Sequence, residues 1–100
     1  MKQIRLREEA PEELLRETRY YEATRSEIGR QFREAVGASF ALIARFPSAG
    51  APGPAGTRKT KVRNFPFTVV YREEATQVVV FAVAPDKRQP GYWLARTSDG

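Results

Sequence analysis

The sequence predicts an α+β fold: an N-terminal strand, an antiparallel two-helix hairpin packed on a mostly antiparallel sheet of about four strands, and a short C-terminal turn or helix. Two apolar stripes of helical period occupy residues 11–45, and β-branched and aromatic runs occupy residues 58–84. A segment rich in Gly and Pro separates them. The chain has 100 residues, so we expect one domain over residues 1–100.

The periodicity of the N-terminal half predicts one strand and two helices. Polar and apolar residues alternate over 2–7, which indicates a short amphipathic strand. Apolar positions at steps of three and four predict a helix from about 11 to 27, with Gly29 near its end, and a second from about 30 to 45. So short a connection implies antiparallel helices. Gly37 lies inside the second helix, and close helix–helix contact is the expected compensation for its poor helix propensity.

The C-terminal half is predicted to form the rest of the sheet. Gly and Pro exclude residues 48–56 from any helix or central strand. Alternating or β-branched residues then predict strands over 58–65, 67–72 and 77–84. The last of these is nearly continuous Val and Phe, which is typical of a central strand buried on both faces. Pro85 stops it, and residues 90–93 begin a last turn or helix.

The composition excludes several kinds of chemistry. The chain has no cysteine and no histidine, which removes disulfides, thiolate nucleophiles, Ser-His pairs and the common zinc sites. We assign no catalytic residue, no metal ligand and no cofactor. The apolar runs are too short to cross a bilayer, and the N-terminus lacks the apolar region of a signal peptide. A cytoplasmic protein without a membrane partner is therefore expected.

The charge distribution predicts a binding surface for an anionic macromolecule. Lys and Arg number 17 against 12 Asp and Glu, a net charge of +5. Residues 58–63 and 87–93 are basic and aromatic, and such residues dominate interface energies. The predicted target-binding residues are Lys59, Lys61, Arg63, Arg72, Arg88, Tyr92 and Trp93. Two alternatives stay open: Trp93 closes the core, or the 58–63 cluster is only the charged face of an edge strand.

Short segments along the chain carry a family resemblance. They are 19–22, 29–32, 43–47, 63–71, 83–84 and 88–93, which read RYYE, GRQF, IARFP, RNFPFTVVY, VA and RQPGYW. With these segments in this order, the chain resembles the RelE/ParE superfamily of type II toxin–antitoxin toxins from Ile4 to Arg96, and the ParE branch most closely. One departure is Pro85, because ParE-like relatives often carry His after the Val-Ala that ends the last strand.

The resemblance implies a cytoplasmic toxin of a plasmid-stabilisation system that arrests growth and is neutralised by a cognate antitoxin in a hetero-oligomer. ParE-like members bind DNA gyrase and cleave nothing themselves, whereas RelE-like members are ribosome-dependent mRNA endonucleases. Tyr21, Phe32 and Arg33 are the expected antitoxin-binding residues. The helical pattern also fits Tyr21 and Phe32 as core and Arg33 as helix surface.

The residues themselves favour binding over catalysis. Cleavage of RNA by its 2′-OH needs a base, an acid and cations around the phosphorus. Lys and Arg supply cations and Tyr92 an acid, but Glu73 and Glu74 fall in a predicted turn and Asp86 is the one acid near the C-terminal basic residues. Of the two activities that the resemblance implies, we therefore expect gyrase inhibition by binding rather than an enzyme. A RelE-like mRNA endonuclease is the alternative, and a non-toxic nucleic-acid-binding module is a second one.

Overall fold

The computed structural model describes residues 1–98 of the chain. Its helices and strands are β1 (Gln3–Leu6), α1 (Glu9–Thr24), α2 (Ser26–Arg45), β2 (Ala51–Pro52), β3 (Arg58–Lys61), β4 (Phe67–Glu73) and β5 (Gln77–Pro85). The five strands form one sheet in the order β1-β5-β4-β3-β2. β1 runs parallel to β5, and the other neighbours are antiparallel. The predicted α+β architecture is confirmed, with one strand more than expected.

β5 is the central strand, as its apolar run predicts. Its residues from Val78 to Ala84 are all buried. Val69, Tyr71 and Val80 pack with the helical hairpin, whereas Val70 faces the other side of the sheet. A bulge interrupts the pairing with β4: Val70 pairs with Ala82 and Tyr71 with Val80, which leaves Phe81 unpaired.

The two helices meet at a different residue from the one predicted. The break lies at Arg25, whose backbone is extended (φ −165°, ψ 124°), and α2 begins at Ser26. Gly29 therefore lies in the first turn of α2. A Cβ at Gly29 would lie 3.1 Å from the backbone nitrogen of Glu22 and would collide with the Glu22 side chain. The helices come this close only because position 29 has no side chain.

The prediction of close packing at Gly37 is wrong. Gly37 is exposed on α2, and a Cβ placed there would meet nothing within 4 Å. An i,i+4 pattern cannot tell which glycine of a helix faces the neighbouring helix until the crossing point is known. The contact that the sequence assigned to Gly37 is made at Gly29.

Tyr71 fixes the Gly- and Pro-rich segment against the sheet. Its buried hydroxyl donates to the carbonyl of Pro47 at 2.7 Å and accepts from the amide of Gly50 at 3.0 Å. A Cβ at Gly50 would lie 3.0 Å from the Lys59 carbonyl oxygen, so a larger residue would push the segment away. The segment also holds the two-residue edge strand β2 and two 3₁₀ turns, Pro47–Ala49 and Pro54–Gly56. The segment contains no central strand, as predicted, but the exclusion of any helix was too broad because of these two short 3₁₀ turns.

The face of the sheet turned away from the helices is covered by the C-terminal segment, residues 86–98. Trp93 packs there with Val70, Ala82 and Ala84 and is only 8% exposed. This segment ends in a 3₁₀ turn, Leu94–Thr97. The sheet therefore lies between a helical layer and a short irregular layer. β3 ends at Lys61 and is shorter than the predicted strand 58–65, because the chain turns before Phe67.

Candidate target-binding groove

A groove lies between the sheet and the C-terminal segment. Its volume is about 180 Å³. We call it the C-terminal groove, and its lining includes Lys59, Thr68, Val70, Asp86, Arg88, Gln89, Tyr92 and Trp93. Four of the residues predicted to bind a target thus come together here, from β3 and from the C-terminal segment. Trp93 forms the buried floor, which agrees with the core alternative for this residue.

Tyr92 lines the groove and is held by contacts with three neighbouring side chains. The guanidinium of Arg88 lies 3.7 Å from the centre of the Tyr92 ring, and that of Arg96 lies 5.2 Å from it. The Tyr92 hydroxyl donates to Glu13 at 2.7 Å. Burial and the bond to Glu13 raise the pKa of Tyr92 well above its usual value. Tyr92 therefore stays protonated at neutral pH, with its proton directed into the protein.

Arg88 presents a free cation at the mouth of the groove. Its side chain is exposed, and within residues 1–98 it takes part in none of the ion pairs. Stacking on Tyr92 holds the planar guanidinium while leaving its N–H groups available. Such an arrangement suits a carboxylate or a phosphate of another macromolecule.

Lys61 is at the rim of the groove, but its charge is already engaged. Its ammonium group is bonded to Asp86, which also accepts from the Thr68 hydroxyl at 2.9 Å. Burial raises the pKa of Asp86, but the bonds from Lys61 and Thr68 outweigh that effect and hold the pKa below its usual value. Asp86 is therefore an anion whose oxygens are occupied.

The other two predicted cations lie outside the groove. Arg72 places its guanidinium 4.9 Å from the centre of the Phe81 ring and pairs with Glu74 at 3.5 Å. It also donates to the carbonyl of Thr97 at 3.4 Å, which ties the C-terminal segment to the sheet. Arg63 is exposed in the turn after β3 and is not part of the lining. Arg72 is thus mainly a structural residue here.

Glu13 is the residue of this region that the sequence analysis missed. It is 3% exposed and bonds to Tyr92 and Arg96 of the C-terminal segment. A signal was present: Glu13 lies three residues after Ala10 and beside Leu14, so it borders the apolar stripe of α1. An acid beside such a stripe needs a buried partner.

The residues predicted to bind an antitoxin occupy the helical side of the sheet. Tyr21 and Phe32 have ring centres 5.1 Å apart and pack on Phe65 and Phe67. Phe32 is 0% exposed and therefore belongs to the core and not to an antitoxin-binding surface. Arg33 is half exposed and pairs with Glu22 at 2.6 Å, which links the two helices.

Tyr21 is only partly covered, because it borders a second and larger groove. This groove, about 490 Å³, lies between α1 and the turns at the ends of β4 and β5. We call it the helix-side groove; its lining includes Arg16, Glu17, Tyr20, Tyr21, Pro66, Pro85 and Lys87. Tyr20 is 65% exposed, so a large aromatic surface is open to a partner at this place.

The described residues set limits on other chemistry. Within residues 1–98, no group of three or more acidic side chains could hold a metal ion. Neither helix in that range is long and apolar enough to cross a bilayer. What the fold and the two grooves define is a small α+β protein with one cationic, aromatic face and one aromatic groove beside its helices. Both are surfaces suited to macromolecular partners.

Comparison with known proteins identifies the family. Residues 4–90 match the family described as the ParE toxin of the type II toxin–antitoxin system, parDE, so the chain belongs to this family of toxins. Among solved structures, the chromosomal ParDE toxin–antitoxin system from P. aeruginosa has the same fold, with a TM-score of 0.73 and 15% identity over 85% of this chain and 96% of that one. A comparison with curated proteins found no match.

Proposed function

We propose that this ParE-family chain inhibits DNA gyrase in the cytoplasm by binding it through the C-terminal groove, and that a cognate antitoxin neutralises it. The observation that carries the proposal is Arg88, an exposed guanidinium stacked on a Tyr92 that is itself anchored. Lys59 adds a second exposed cation to the same groove. An acidic patch on the target would complement both.

The state of the acidic groups supports binding rather than RNA cleavage. A general base must be able to reach a substrate proton. Glu13 is buried and Asp86 is bonded to Lys61 and Thr68. Glu73 pairs with Lys2 at 2.7 Å, and the Tyr92 hydroxyl donates inward. These contacts engage the groups that proton transfer in the groove would use.

The helix-side groove is the proposed docking site for the antitoxin. Tyr20 and Tyr21 offer aromatic surface there, and the charged lining residues are two cations, Arg16 and Lys87, against one acid, Glu17. An antitoxin segment with apolar side chains and acidic flanks would match this combination and the net charge of +5. Tyr21 keeps its predicted role in this proposal, through the exposed part of its ring.

A supercoiling assay tests the gyrase proposal. Purified gyrase is titrated with the wild-type chain, with Arg88→Glu, and with Arg30→Glu as the matched control, since Arg30 is an exposed cation on α2 across the sheet. We expect inhibition by the wild type and by Arg30→Glu, and roughly tenfold weaker inhibition by Arg88→Glu. Intact supercoiling together with mRNA cleavage in a translating extract would instead establish the endonuclease.

A binding titration tests the antitoxin proposal. The product of the neighbouring gene is mixed with the wild type, with Tyr20→Asp, or with Leu42→Asp, which changes an exposed apolar residue of α2 outside the groove. We expect a complex on size-exclusion chromatography with the wild type and with Leu42→Asp, and a weaker one with Tyr20→Asp. The absence of any complex, or equal binding by all three, would contradict the docking site.

A further inference from the structure

The buried carboxylate of Glu13 connects three separate parts of the fold. One of its oxygens accepts from the backbone amide of Val83 at 3.2 Å. The other accepts from the Tyr92 hydroxyl at 2.7 Å and pairs with Arg96 at 3.0 Å. Glu13 thus joins α1 to the central strand and to the C-terminal segment through a single side chain.

This position exists because β1 is shorter than β5. β1 pairs with β5 only as far as Val80, whose carbonyl accepts from Arg7 at 2.9 Å. Since β4 occupies the other edge of β5, the Val83 amide would have no strand to pair with beyond β1. Glu13 accepts from that amide, and Arg96 donates to the Phe81 carbonyl at 3.0 Å. Two side chains thus complete the edge that β1 leaves open.

The ring of Tyr92 links the buried Glu13 to the exposed Arg88. The hydroxyl of Tyr92 is bonded to Glu13, and the ring of Tyr92 is stacked against Arg88, whose guanidinium lies 3.7 Å from the ring centre. The backbone bonds of residues 88–92 are local turn bonds: the Arg88 amide donates to the Pro85 carbonyl at 3.0 Å, and the Tyr92 amide donates to the Gln89 carbonyl at 3.3 Å. They hold the backbone of the turn, but the guanidinium of Arg88 is held by its stacking on Tyr92. The position of Arg88 therefore depends on what holds Tyr92.

We propose that Glu13 is a positioning residue for the toxin's target contact: it anchors Tyr92 and Arg96 and thereby holds Arg88 where a partner can bind it. The inference rests on the proposed function, because it takes Arg88 as the target contact. Glu13 itself, at 3% exposure, touches no partner. Its effect reaches Arg88 through the ring of Tyr92.

The fluorescence of Trp93 reports directly on whether Glu13 holds the C-terminal segment in place. Trp93 is the only tryptophan of the chain, it adjoins Tyr92, and it is 8% exposed. Glu13→Gln removes the charge that faces Arg96, and Tyr92→Phe removes one hydroxyl and keeps the ring. Glu12→Gln is the matched control, because Glu12 is an exposed acid on the same helix turn. For Glu13→Gln and Tyr92→Phe we expect a red-shifted Trp93 emission and stronger acrylamide quenching, and for Glu12→Gln neither.

Inhibition of gyrase is measured on the same proteins, after far-UV circular dichroism has established that each is folded. Glu13→Gln is expected to weaken inhibition roughly tenfold, and Glu12→Gln to leave it unchanged. In an Arg88→Ala background, Glu13→Gln should cause no further loss, because its effect passes through Arg88. A merely structural role would reduce inhibition in both backgrounds.

Each result decides the inference. Unchanged Trp93 emission in Glu13→Gln and Tyr92→Phe would overturn it, and so would unaltered inhibition despite a shifted emission. If Glu13→Gln does not fold, Tyr92→Phe alone decides. If the wild-type chain does not inhibit gyrase, the proposed function fails; the emission of the variants then still tests whether Glu13 anchors the segment.

Discussion

The two faces of the sheet are built by different means. The helical face is closed by apolar contacts: Phe32 and Val36 of α2 pack without exposed surface on Val69, Tyr71 and Val80. The other face has a small apolar patch around Trp93, and the rest of its cover is held by bonds and stacking from charged side chains. The helical face is therefore the packed scaffold of the fold, whereas the other face keeps the exposed cations Lys59 and Arg88 available to a partner.

The largest expected loss of stability comes from removing a core side chain on the helical face. Phe32→Ala should lower the free energy of unfolding by about 3–5 kcal/mol, because it leaves a cavity among the rings of Tyr21, Phe65 and Phe67. Urea denaturation followed by circular dichroism measures the loss. A loss below about 1 kcal/mol would mean that this face is not the tightly packed one.

Tyr71→Phe tests a buried hydroxyl on the helical face. The substitution keeps the ring but leaves the Gly50 amide and the Pro47 carbonyl without their partner. We expect a loss of about 1–3 kcal/mol in the free energy of unfolding, from the same denaturation curves. A neutral result would show that water replaces the hydroxyl and that the Gly- and Pro-rich segment is not fixed by Tyr71.

Two glycines of α2 give a matched pair of variants with opposite signs. Gly37→Ala should stabilise the protein by up to about 1 kcal/mol, because the position is open and alanine favours helix. Gly29→Ala should destabilise it, because the new methyl group would press on Glu22 where the helices cross. Thermal melts of the two variants beside the wild type suffice. Equal shifts in the melting temperatures of the two variants would mean that the helices do not make their closest contact at Gly29.

The smallest effect is expected at the rim of the C-terminal groove. Because Lys61 and Thr68 lower the pKa of Asp86 in the folded state, this carboxylate contributes stability above its unfolded pKa. That contribution is lost as the pH falls through the folded value. Asp86→Asn should therefore be slightly less stable at neutral pH and show a weaker loss of stability on acidification. Melting temperatures measured between neutral and acidic pH check this, and parallel acid curves would contradict it.

The sequence was sufficient for the pattern of elements but not for contacts that depend on how elements meet. The strand β5 followed from its continuous apolar run and the helical hairpin from its hydrophobic period, and residues of both patterns, such as Val78 and Phe32, are buried as expected. The break at Arg25 carries no glycine or proline, so nothing local marks it. The closely packed glycine was accordingly assigned to Gly37 instead of Gly29.

The candidate site was also predictable only in part, because the sequence shows which residues are basic or aromatic but not which of them meet. Lys59, Arg88 and Tyr92 were grouped from two basic, aromatic segments, and these segments do border one groove. Arg72 was grouped with them by charge alone, yet its ring contact and its bond to Thr97 make it structural. Glu13 was missed because its partners lie some 70 residues or more away along the chain.

Calorimetric titration of purified gyrase with the purified toxin tests the central claim most directly. If the cationic face is the target contact, the wild type forms a complex whose affinity falls as salt rises, and Arg88→Glu binds roughly tenfold more weakly. Binding that ignores both salt and the Arg88→Glu substitution, or no heat of binding at all, would contradict the account.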